Sequence, residues 1–499
     1  MTNVNYQEMY RPQYHFSPES NWMNDPNGMV YYEGEYHLFY QYHPHSTEWG
    51  PMHWGHAISK DLIYWEHLPI ALKPDHNGFI FSGSVVVDWQ DSTGFFLGKS
   101  GLVAIFTHSD MHMEDDESNL CTDQVRQRQS LAYSKDKGRT WTMYEGNPVL
   151  VELDIIDFRD PKVFWHAPDH RWVMVVAAGN HVRLYASENL KEWTFLSEFG
   201  LHEGSHNGVW ECPDLFQLPV DGISNQTKWV LLISIGDDPT YPEGSRTQYF
   251  VGHFDGESFI NDHSPETTIW LDHGRDNYAG VTWSDAPEGN RILIGWMSNW
   301  KYANVLPTSS WRSAMTLPRV LSLRCEKDGI RLLQTPVENG KHLRDLLKQW
   351  NNVTIIPNDN LLSAVQGELL EIEAEIVLDS ATEFGFKLRT SDQQETIVGY
   401  DVHKQELFVD RTKSGRSDFH PKFPCRHSAI LSPINQSIRL RIFVDWSSIE
   451  VFANDGRIVM TDLIYPDPSS RGLAFYSLNG SIIFRSLKIY KLKSIHRAI

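Results

Sequence analysis

Three acidic residues lie in short motifs that combine a carboxylate with aromatic residues or proline. They are Asp25 in WMNDPNG, Asp160 in FRDPKVFW and Glu211 in VWECPDLF. A single Asp-Pro or Glu-Cys-Pro stretch is most often a turn or a capping carboxylate. Three such motifs, each a few residues before an apolar strand, favour one shared catalytic role over three independent turns.

Clustered carboxylates without a metal partner are typical of glycoside chemistry. One carboxylate attacks or stabilises the anomeric carbon and a protonated one supplies a proton to the leaving group; in retaining enzymes the two lie about 5 to 5.5 Å apart. Proximity of like charges raises the pKa of one carboxyl, which keeps it protonated near neutral pH. An inverting enzyme of the arabinanase type, with carboxylates farther apart around a water, is the alternative that the acids alone leave open.

No metal ion or cofactor is expected. His and Cys residues do not cluster with the spacing of metal ligands,. The cysteines are far apart and form no CxxC pair, which predicts free thiols at Cys121, Cys212, Cys325 and Cys425,.

The elements that must position the acids are short strands broken by Gly, Pro, Asn and Asp,. A weak repeat consists of a strand ending in Ala and Ser, a polar turn and a Trp that opens the next strand; its copies are 55–68, 130–144 and 183–196, with looser ones at 250–259 and 291–300. The spacing of roughly 50 to 75 residues is that of a four-stranded propeller blade. The sequence therefore predicts an all-β fold whose residues 1–340 form a five-bladed β-propeller, with a large sandwich as the alternative. In a propeller the three acids can meet near the axis.

The chain changes character after residue 350. Segments such as 371–379 and 438–466 alternate strongly between apolar and polar residues, and Asn454-Asp455-Gly456 marks a hairpin,. This pattern predicts a C-terminal β-sandwich over 353–499, joined by a linker at 341–352, with a structural or accessory role. The best helical periodicity in the chain, at 340–350, falls on this junction,.

Composition narrows the choice of ligand. The 499 residues carry a formal net charge of -20, which argues against nucleic acid or an anionic membrane as partner,. Aromatic residues make up 12%, with 18 Trp, which suits stacking on sugar rings as well as core packing. There is no run of 18 apolar residues, and the polar N-terminus has no apolar core of a signal peptide,. We therefore expect a cytoplasmic protein, or a secreted one if a leader has been removed.

At these motifs the sequence resembles glycoside hydrolase family 32, the family of invertases, levanases and inulinases, over essentially its whole length. The motifs are WMNDPNG, FSGS at 81–84, FRDPK, ECPD and DHGRDNYA at 272–279. The resemblance implies a five-bladed propeller followed by a β-sandwich. It also implies that Asp25 is the nucleophile, Glu211 the general acid/base and Asp160 a transition-state stabiliser that contacts the fructose hydroxyls.

The resemblance extends to substrate-binding residues. Those matching the family's pocket are Asn24, Gln41, Trp49, Phe81, Ser82 and Arg159, with Trp296 as an aromatic at the rim beside Trp300. Arg159 could also be a plain ion-pair partner of Asp160 or orient it. One departure is Asn277, where the family commonly has Phe, and it predicts an altered pocket wall.

The implied activity is a retaining, exo-acting β-fructofuranosidase. It would remove terminal non-reducing β-D-fructofuranosyl units from levan, inulin, fructo-oligosaccharides and sucrose, and segment 294–319 looks like the exo-levanase and exo-inulinase branch. A fructosyltransferase uses the same acids and stays open, as does a cytoplasmic sucrose or sucrose-6-phosphate hydrolase, although no basic cluster for a phosphate is seen. A binding or regulatory protein on this scaffold would have lost one of the acids. The expected partner is a sugar, with no nucleic acid or membrane and no indication of oligomeric state.

Overall fold

The computed structural model describes residues 6–110 and 126–496. Cys121 lies outside this part, and the other three cysteines are free thiols. Strands dominate the fold, and the described helices are short 3-10 turns at Ala167–Asp169, Pro287–Gly289, Ala303–Val305 and Glu338–Leu343. Within the described ranges no helix has the length and apolarity needed to cross a bilayer.

The N-terminal part is a five-bladed β-propeller, which confirms the predicted architecture. Blade 1 contains the strands Asn21–Tyr32, Glu35–His43, His53–Ser59 and Trp65–Leu72. Blade 2 contains Phe79–Asp88, Gly101–Ser109, Gln127–Ser134, Thr142–Met143 and Leu150–Val151. Blade 3 contains Phe158–His166, Arg171–Ala178, Val182–Ser187 and Thr194–Phe199. Blade 4 contains Trp210–Val220, Ile223–Ile235, Arg246–Phe254 and Phe259–Asn261.

Blade 5 completes the ring. Its strands are Tyr278–Thr282, Ile292–Met297, Arg319–Glu326 and Gly329–Pro336, with the short Ala314–Met315 beside the second of them. The two-residue strand Trp311–Arg312 pairs in parallel with the first strand of blade 1. This pairing joins the last part of the propeller to the first, so blade 1 does not end in a free edge there.

The first strand of every blade has a break in its pairing register near its start. The breaks fall between Met23 and Pro26, Ile80 and Gly83, Arg159 and Lys162, Glu211 and Asp214, and Tyr278 and Val281. Three residues within these breaks have left-handed backbone: Asp160 (φ 65°), Cys212 (φ 46°) and Ala279 (φ 52°). A bulge re-aims side chains that a regular strand would point elsewhere. Here it allows neighbouring residues to face the propeller axis together.

The C-terminal part is a two-sheet β-sandwich, again as predicted. One sheet runs in the order Arg344–Ile355, Ile482–Leu492, Leu370–Leu378, Ser437–Val444, Ser448–Ala453 and Ile458–Leu463. The other runs in the order Arg426–Ile430, Glu406–Lys413, Glu395–Asp401, Glu383–Thr390 and Gly472–Leu478. Apolar side chains of both sheets form one core, which includes Ile372, Phe386 and Phe484.

The segment 340–350, which has the best helical periodicity in the sequence, does not form an α-helix. The structure has the 3-10 turn Glu338–Leu343 and then the strand Arg344–Ile355, which pairs with Ile482–Leu492. Leu343 is buried, but Leu346 is 56% exposed, so the apolar spacing does not mark a helix face. Most of the segment 341–352, predicted as a linker, therefore belongs to the edge of a sandwich sheet.

Buried ion pairs join the sandwich to blade 5. Arg319 of the propeller pairs with Glu450 of the sandwich (2.5 Å) and with Asp272 (3.1 Å). Asp276 pairs with the sandwich residue Arg411, 2.5 Å away, with both side chains fully buried. Because a buried charge is costly unless it is paired and hydrogen-bonded, these contacts fix how the sandwich lies on the propeller.

Candidate active site

The three acids meet in a cavity of about 360 Å³ at one end of the propeller axis. Its lining residues are Asn24, Asp25, Gln41, Trp49, Phe81, Ser82, Gln127, Arg159, Asp160, Glu211, Trp300 and Asn304. Apart from Trp296, every residue that the sequence analysis assigned to the site lines this cavity. The register breaks explain the convergence, since Asp25, Asp160 and Glu211 each lie at or beside one in a different blade.

Asp25 lies on the first strand of blade 1 and accepts hydrogen bonds from the side chains of Ser82, Asn24 and Cys212. The Ser82 hydroxyl donates to Oδ2 at 2.8 Å and the Asn24 amide donates to Oδ1 at 3.1 Å. Burial and the charge of Glu211 raise the pKa of Asp25 to about 6, against the opposing effect of these donors,. Trp22, in the same motif, is fully buried and donates through Nε1 to the side-chain Oδ1 of Asn24 at 2.7 Å.

Asp160 lies on blade 3 in the left-handed conformation. Its backbone N–H donates to Thr107 Oγ1 at 3.0 Å, and its Oδ2 accepts the Cys212 backbone N–H at 3.0 Å. Burial raises the pKa of Asp160 to about 7; Arg159 opposes this rise, and the charges of Glu211 and Asp25 add to it. The carboxylate is thus fixed in direction while one side of it faces the cavity.

Glu211 on blade 4 has a charged and a neutral donor. Arg159 Nη2 donates to Oε1 at 2.8 Å, and the Tyr278 hydroxyl makes a short hydrogen bond to Oε2. Arg159 also binds Asp157 and Gln127, at 2.5 and 3.2 Å. Burial would lower the pKa of Arg159, but the charges of Glu211, Asp160 and Asp157 outweigh it and hold that pKa above its ordinary value. Arg159 is therefore a permanent cation that orients the acid of blade 4, with Asp160 farther away at 4.0 Å.

The thiol of Cys212 fills the space between the two aspartates. Its Sγ lies 3.6 Å from Oδ2 of Asp25 and 3.6 Å from Oδ2 of Asp160. Burial and the surrounding carboxylates raise the pKa of Cys212 well above its usual value, so the thiol stays neutral. A group that adds no charge therefore lies between Asp25 and Asp160.

A buried polar layer closes the cavity from below. Lys162 Nζ donates to the Thr282 carbonyl at 2.5 Å and lies 3.4 Å from Asp214 Oδ2. Asp214 in turn accepts the backbone N–H of Thr282 at 2.6 Å and its hydroxyl at 2.8 Å. Lys162 and Asp214 lie just beyond the register breaks of blades 3 and 4. The same bulges therefore orient the catalytic acids and the polar residues beneath them.

Aromatic side chains surround the cavity mouth. Trp49 is 45% exposed and packs edge-on against Phe81, with ring centroids 6.2 Å apart. Asn304 Oδ1 accepts the Trp49 backbone N–H at 3.0 Å. Gln41 is held from behind, since its amide donates to Asn27 Oδ1 at 2.7 Å. These contacts give the mouth a fixed apolar wall beside polar groups.

The predicted rim position of Trp296 is wrong. Trp296 is fully buried, with its ring 6.0 Å from Trp22 and 4.8 Å from Trp300. It lies inside the strand Ile292–Met297 and is covered by neighbouring strands, opposite both Tyr278 and Met315. Only Trp300, in the loop that follows this strand, reaches the cavity.

The departure at Asn277 does not alter the pocket wall. Asn277 is buried and donates to Asp272 Oδ2 at 3.1 Å, on the side of the strand that faces the sandwich. Tyr278, the next residue, is the one that contacts Glu211. No role was predicted for Tyr278, although its motif carries part of the family resemblance. Gln127 lies in no motif, and Asn304 lies in segment 294–319, where no role was predicted for it.

A larger cavity lies elsewhere in the described structure. It measures about 800 Å³ and lies beside blade 1 near the C-terminal end of the chain, lined in part by Glu35, Asp61 and Arg139. Glu35 is paired with Arg139 at 2.8 Å, and Asp61 accepts backbone N–H groups of its own loop. These acids serve structural roles, so the smaller cavity with three carboxylates remains the candidate active site. Among the described residues no group of His, Cys, Asp and Glu is arranged to hold a metal ion.

A β-propeller with three carboxylates from different blades around one closed pocket is the architecture of a glycoside hydrolase. Residues 15–336 match the glycosyl hydrolases family 32 N-terminal domain, and residues 340–491 match the family 32 C-terminal domain. The chain therefore belongs to glycosyl hydrolase family 32.

Three relatives illustrate the similarity. The chain is 55% identical to a levanase of Bacillus subtilis (strain 168), over 98% of this chain and 71% of that protein. It is 44% identical to a levanase of Bacillus sp. (strain L7), over 99% of this chain and 53% of that protein, and so spans about half the length of this second relative. The crystal structure of exo-inulinase from Aspergillus awamori is 37% identical and superimposes with a TM-score of 0.88, over 98% of this chain and 100% of that one.

Proposed function

We propose that the chain is a retaining, exo-acting β-fructofuranosidase that hydrolyses terminal non-reducing β-D-fructofuranosyl units of fructans and sucrose. The observation that carries this proposal is the meeting of Asp25, Asp160 and Glu211 in a cavity closed at its lower end. The family supplies the reaction class, and the levanase and exo-inulinase relatives supply the substrate class.

In the first step the Asp25 carboxylate attacks the anomeric carbon of the bound fructosyl unit. The bond from that carbon to the leaving oxygen breaks, and Glu211 gives its proton to this oxygen. The anomeric carbon carries positive charge in the transition state, and the Asp160 carboxylate lies where it stabilises that charge. Arg159 and Tyr278 hold the Glu211 carboxyl in place through both of its oxygens.

In the second step water replaces the leaving group. Glu211, now a carboxylate, takes a proton from the water, whose oxygen attacks the anomeric carbon and releases Asp25. Two displacements at the same carbon retain its configuration. Fructose leaves, and the enzyme returns to its starting protonation.

Exo attack follows from the shape of the cavity. The layer of Lys162, Asp214 and Thr282 closes the lower end, so a polymer cannot run through it. Trp49, Phe81 and Trp300 stand around the entrance and can contact the sugar that follows the bound terminal unit. A chain end enters the pocket, while the rest of the chain stays outside.

A phosphorylated substrate fits this pocket poorly. Among the described lining residues Arg159 is the sole cation, and it is already engaged by Glu211 and Asp157. A phosphate would therefore meet three carboxylates without a free positive partner. Neutral sucrose and fructans are the better substrates.

The test is a time course of products from sucrose, 1-kestose, inulin and levan, separated by chromatography. We expect fructose alone as the early product from both polymers, while the polymers shorten slowly. Early oligosaccharides of mixed length would overturn the exo mode. Oligosaccharides that grow at the expense of sucrose would identify a fructosyltransferase instead.

A further inference from the structure

We propose that a second cavity, at the opposite end of the propeller axis, binds a short segment of β-fructan without cleaving it. This cavity measures about 280 Å³. The first strand of blade 2 reaches the active site at Phe81 and Ser82 and this cavity at Asp88. At the rise of a β-strand the two sites are about 20 Å apart. The choice of fructan as ligand rests on the proposed function.

An exposed tryptophan forms a fixed platform at the cavity mouth. Trp89 is 58% exposed, yet its Nε1 donates to Asp285 Oδ1 at 2.9 Å, a bond that joins blade 2 to blade 5. Its ring also lies 5.8 Å from the ring of Tyr32 in blade 1. An exposed indole that is anchored to two other blades loses little freedom when a ligand packs on it.

Two further tryptophans supply the inner wall. The rings of Trp165 and Trp172 pack edge-on with centroids 5.1 Å apart, and Trp172 Nε1 donates to Ser92 Oγ at 3.0 Å. Trp165 is only partly buried. A cavity with several aromatic faces and a few polar groups matches the general form of small-molecule sites.

The polar groups of the cavity offer both donors and acceptors. Arg291 is partly buried; in the described structure its guanidinium makes one long hydrogen bond, 3.4 Å to Thr282 Oγ1, and has no carboxylate within 4.0 Å. The guanidinium also lies over the Phe216 ring, 5.1 Å from its centroid. Since no carboxylate holds it, its N–H groups can donate to an oxygen of a ligand. Asp285, also in the lining, can accept a hydroxyl hydrogen,.

This combination favours a neutral polyhydroxylated ligand over an anion. Asp88 and Asp285 both line the cavity, and an anion would face two carboxylates for one guanidinium. Sugar hydroxyls can donate to Asp285 and accept from Arg291 while the ring packs on tryptophan. A polymer bound at this cavity raises the effective concentration of its chain ends at the active site. A disaccharide is too short to contact both sites and gains nothing.

The test uses Asp25→Asn as a background that binds fructan without consuming it. Native gels containing levan or inulin measure retention of this background, of Asp25→Asn with Trp89→Ala, and of Asp25→Asn with Asp285→Asn. Phe195→Ala, which removes an exposed aromatic from the outer strand of blade 3, is the matched control. We expect about tenfold weaker apparent affinity for the Trp89 and Asp285 variants, and no change for the control.

Activity of the otherwise wild-type enzyme completes the test. Trp89→Ala should leave kcat/KM on sucrose unchanged and lower it on levan or inulin. Equal retention of the background and of both cavity variants would overturn the second site, even though fructose is still released. If the wild-type enzyme released no fructose from any substrate, the proposed function itself would be wrong. The gels measure binding alone and would not reveal this.

Discussion

The stability of the fold should change in opposite directions when Asp25 and Asp272 are each changed to asparagine. In Asp25 burial and the charge of Glu211 raise the pKa from 3.8 to about 6. In Asp272 burial alone would raise the pKa, but Arg319 and the hydrogen bonds from Thr461 and Gly274 hold it below its ordinary value. Ionised Asp25 therefore costs stability, whereas ionised Asp272 contributes to it.

The direction in which stability changes with pH follows from the number of protons bound by the folded and unfolded chains. Between pH 3.8 and about 6 the folded chain keeps a proton on Asp25 that the unfolded chain has released, so stability falls as the pH rises through this window,. A rise of this size corresponds to about 3 kcal/mol. Asp25 is only partly buried and water reaches the pocket, which reduces the expected cost to about 1 to 2 kcal/mol,. The contribution of Asp272 is present above its unfolded pKa and is lost as the pH falls through its lower folded value,.

The assay is thermal unfolding of both variants and wild type at pH 7.5 and pH 4. At pH 7.5 Asp25→Asn should raise the apparent Tm by about 1 to 3 °C. Asp272→Asn should lower the apparent Tm, because it removes one of the two carboxylates that pair with the buried Arg319, and such a loss costs about 3 kcal/mol of stability,. At pH 4 the gain from Asp25→Asn should shrink towards zero. A lower Tm for Asp25→Asn at pH 7.5, or a gain that is the same at both pH values, would refute this reasoning.

Three further predictions concern catalysis and assembly. Glu211→Gln should lose most turnover on sucrose but less on a β-fructofuranoside whose leaving group needs no proton, and equal losses in a rate comparison would argue for a structural role. Arg411→Met should leave Asp276 buried without its cation and lower the free energy of unfolding, measured in urea, by about 3 kcal/mol,. Arg411→Lys keeps a positive charge and should lose less stability. An unchanged urea midpoint for Arg411→Met would contradict the role of this pair in joining the two domains. Exhaustive EDTA treatment should leave hydrolysis of sucrose unchanged, and a loss that Ca²⁺ restores would show a metal requirement.

Asp25, Asp160 and Glu211 could be predicted from the sequence because each lies in a recognisable motif near the start of a strand. What the sequence could not show is which neighbours of these motifs face the axis. In DHGRDNYA, Asp276 turns to the sandwich and Tyr278 to Glu211, a division that depends on the register break and on the left-handed backbone of Ala279.

The wrong predictions have a common physical origin. Trp296 was assigned to the rim from the family resemblance, and segment 340–350 was assigned to a linker from local composition. The positions of both are set by pairing with other strands, at Met315 and at Ile482–Leu492. Gln127 enters the pocket from a segment without a motif, and Asn304 enters it from the loop that follows the strand Ile292–Met297. Such residues can be found only once the blades are assembled.

The most direct test of the central claim is to trap the fructosyl-enzyme. Glu211→Gln is mixed with a β-fructofuranoside that has an activated leaving group, quenched in acid and digested for peptide mass spectrometry. Loss of the general base slows the second step, so the intermediate should accumulate. We expect one added fructosyl unit on the peptide containing Asp25, and none when Asp25→Asn is combined with Glu211→Gln. A fructosyl unit on another residue, or turnover of this substrate by the double variant at the rate of Glu211→Gln, would contradict it.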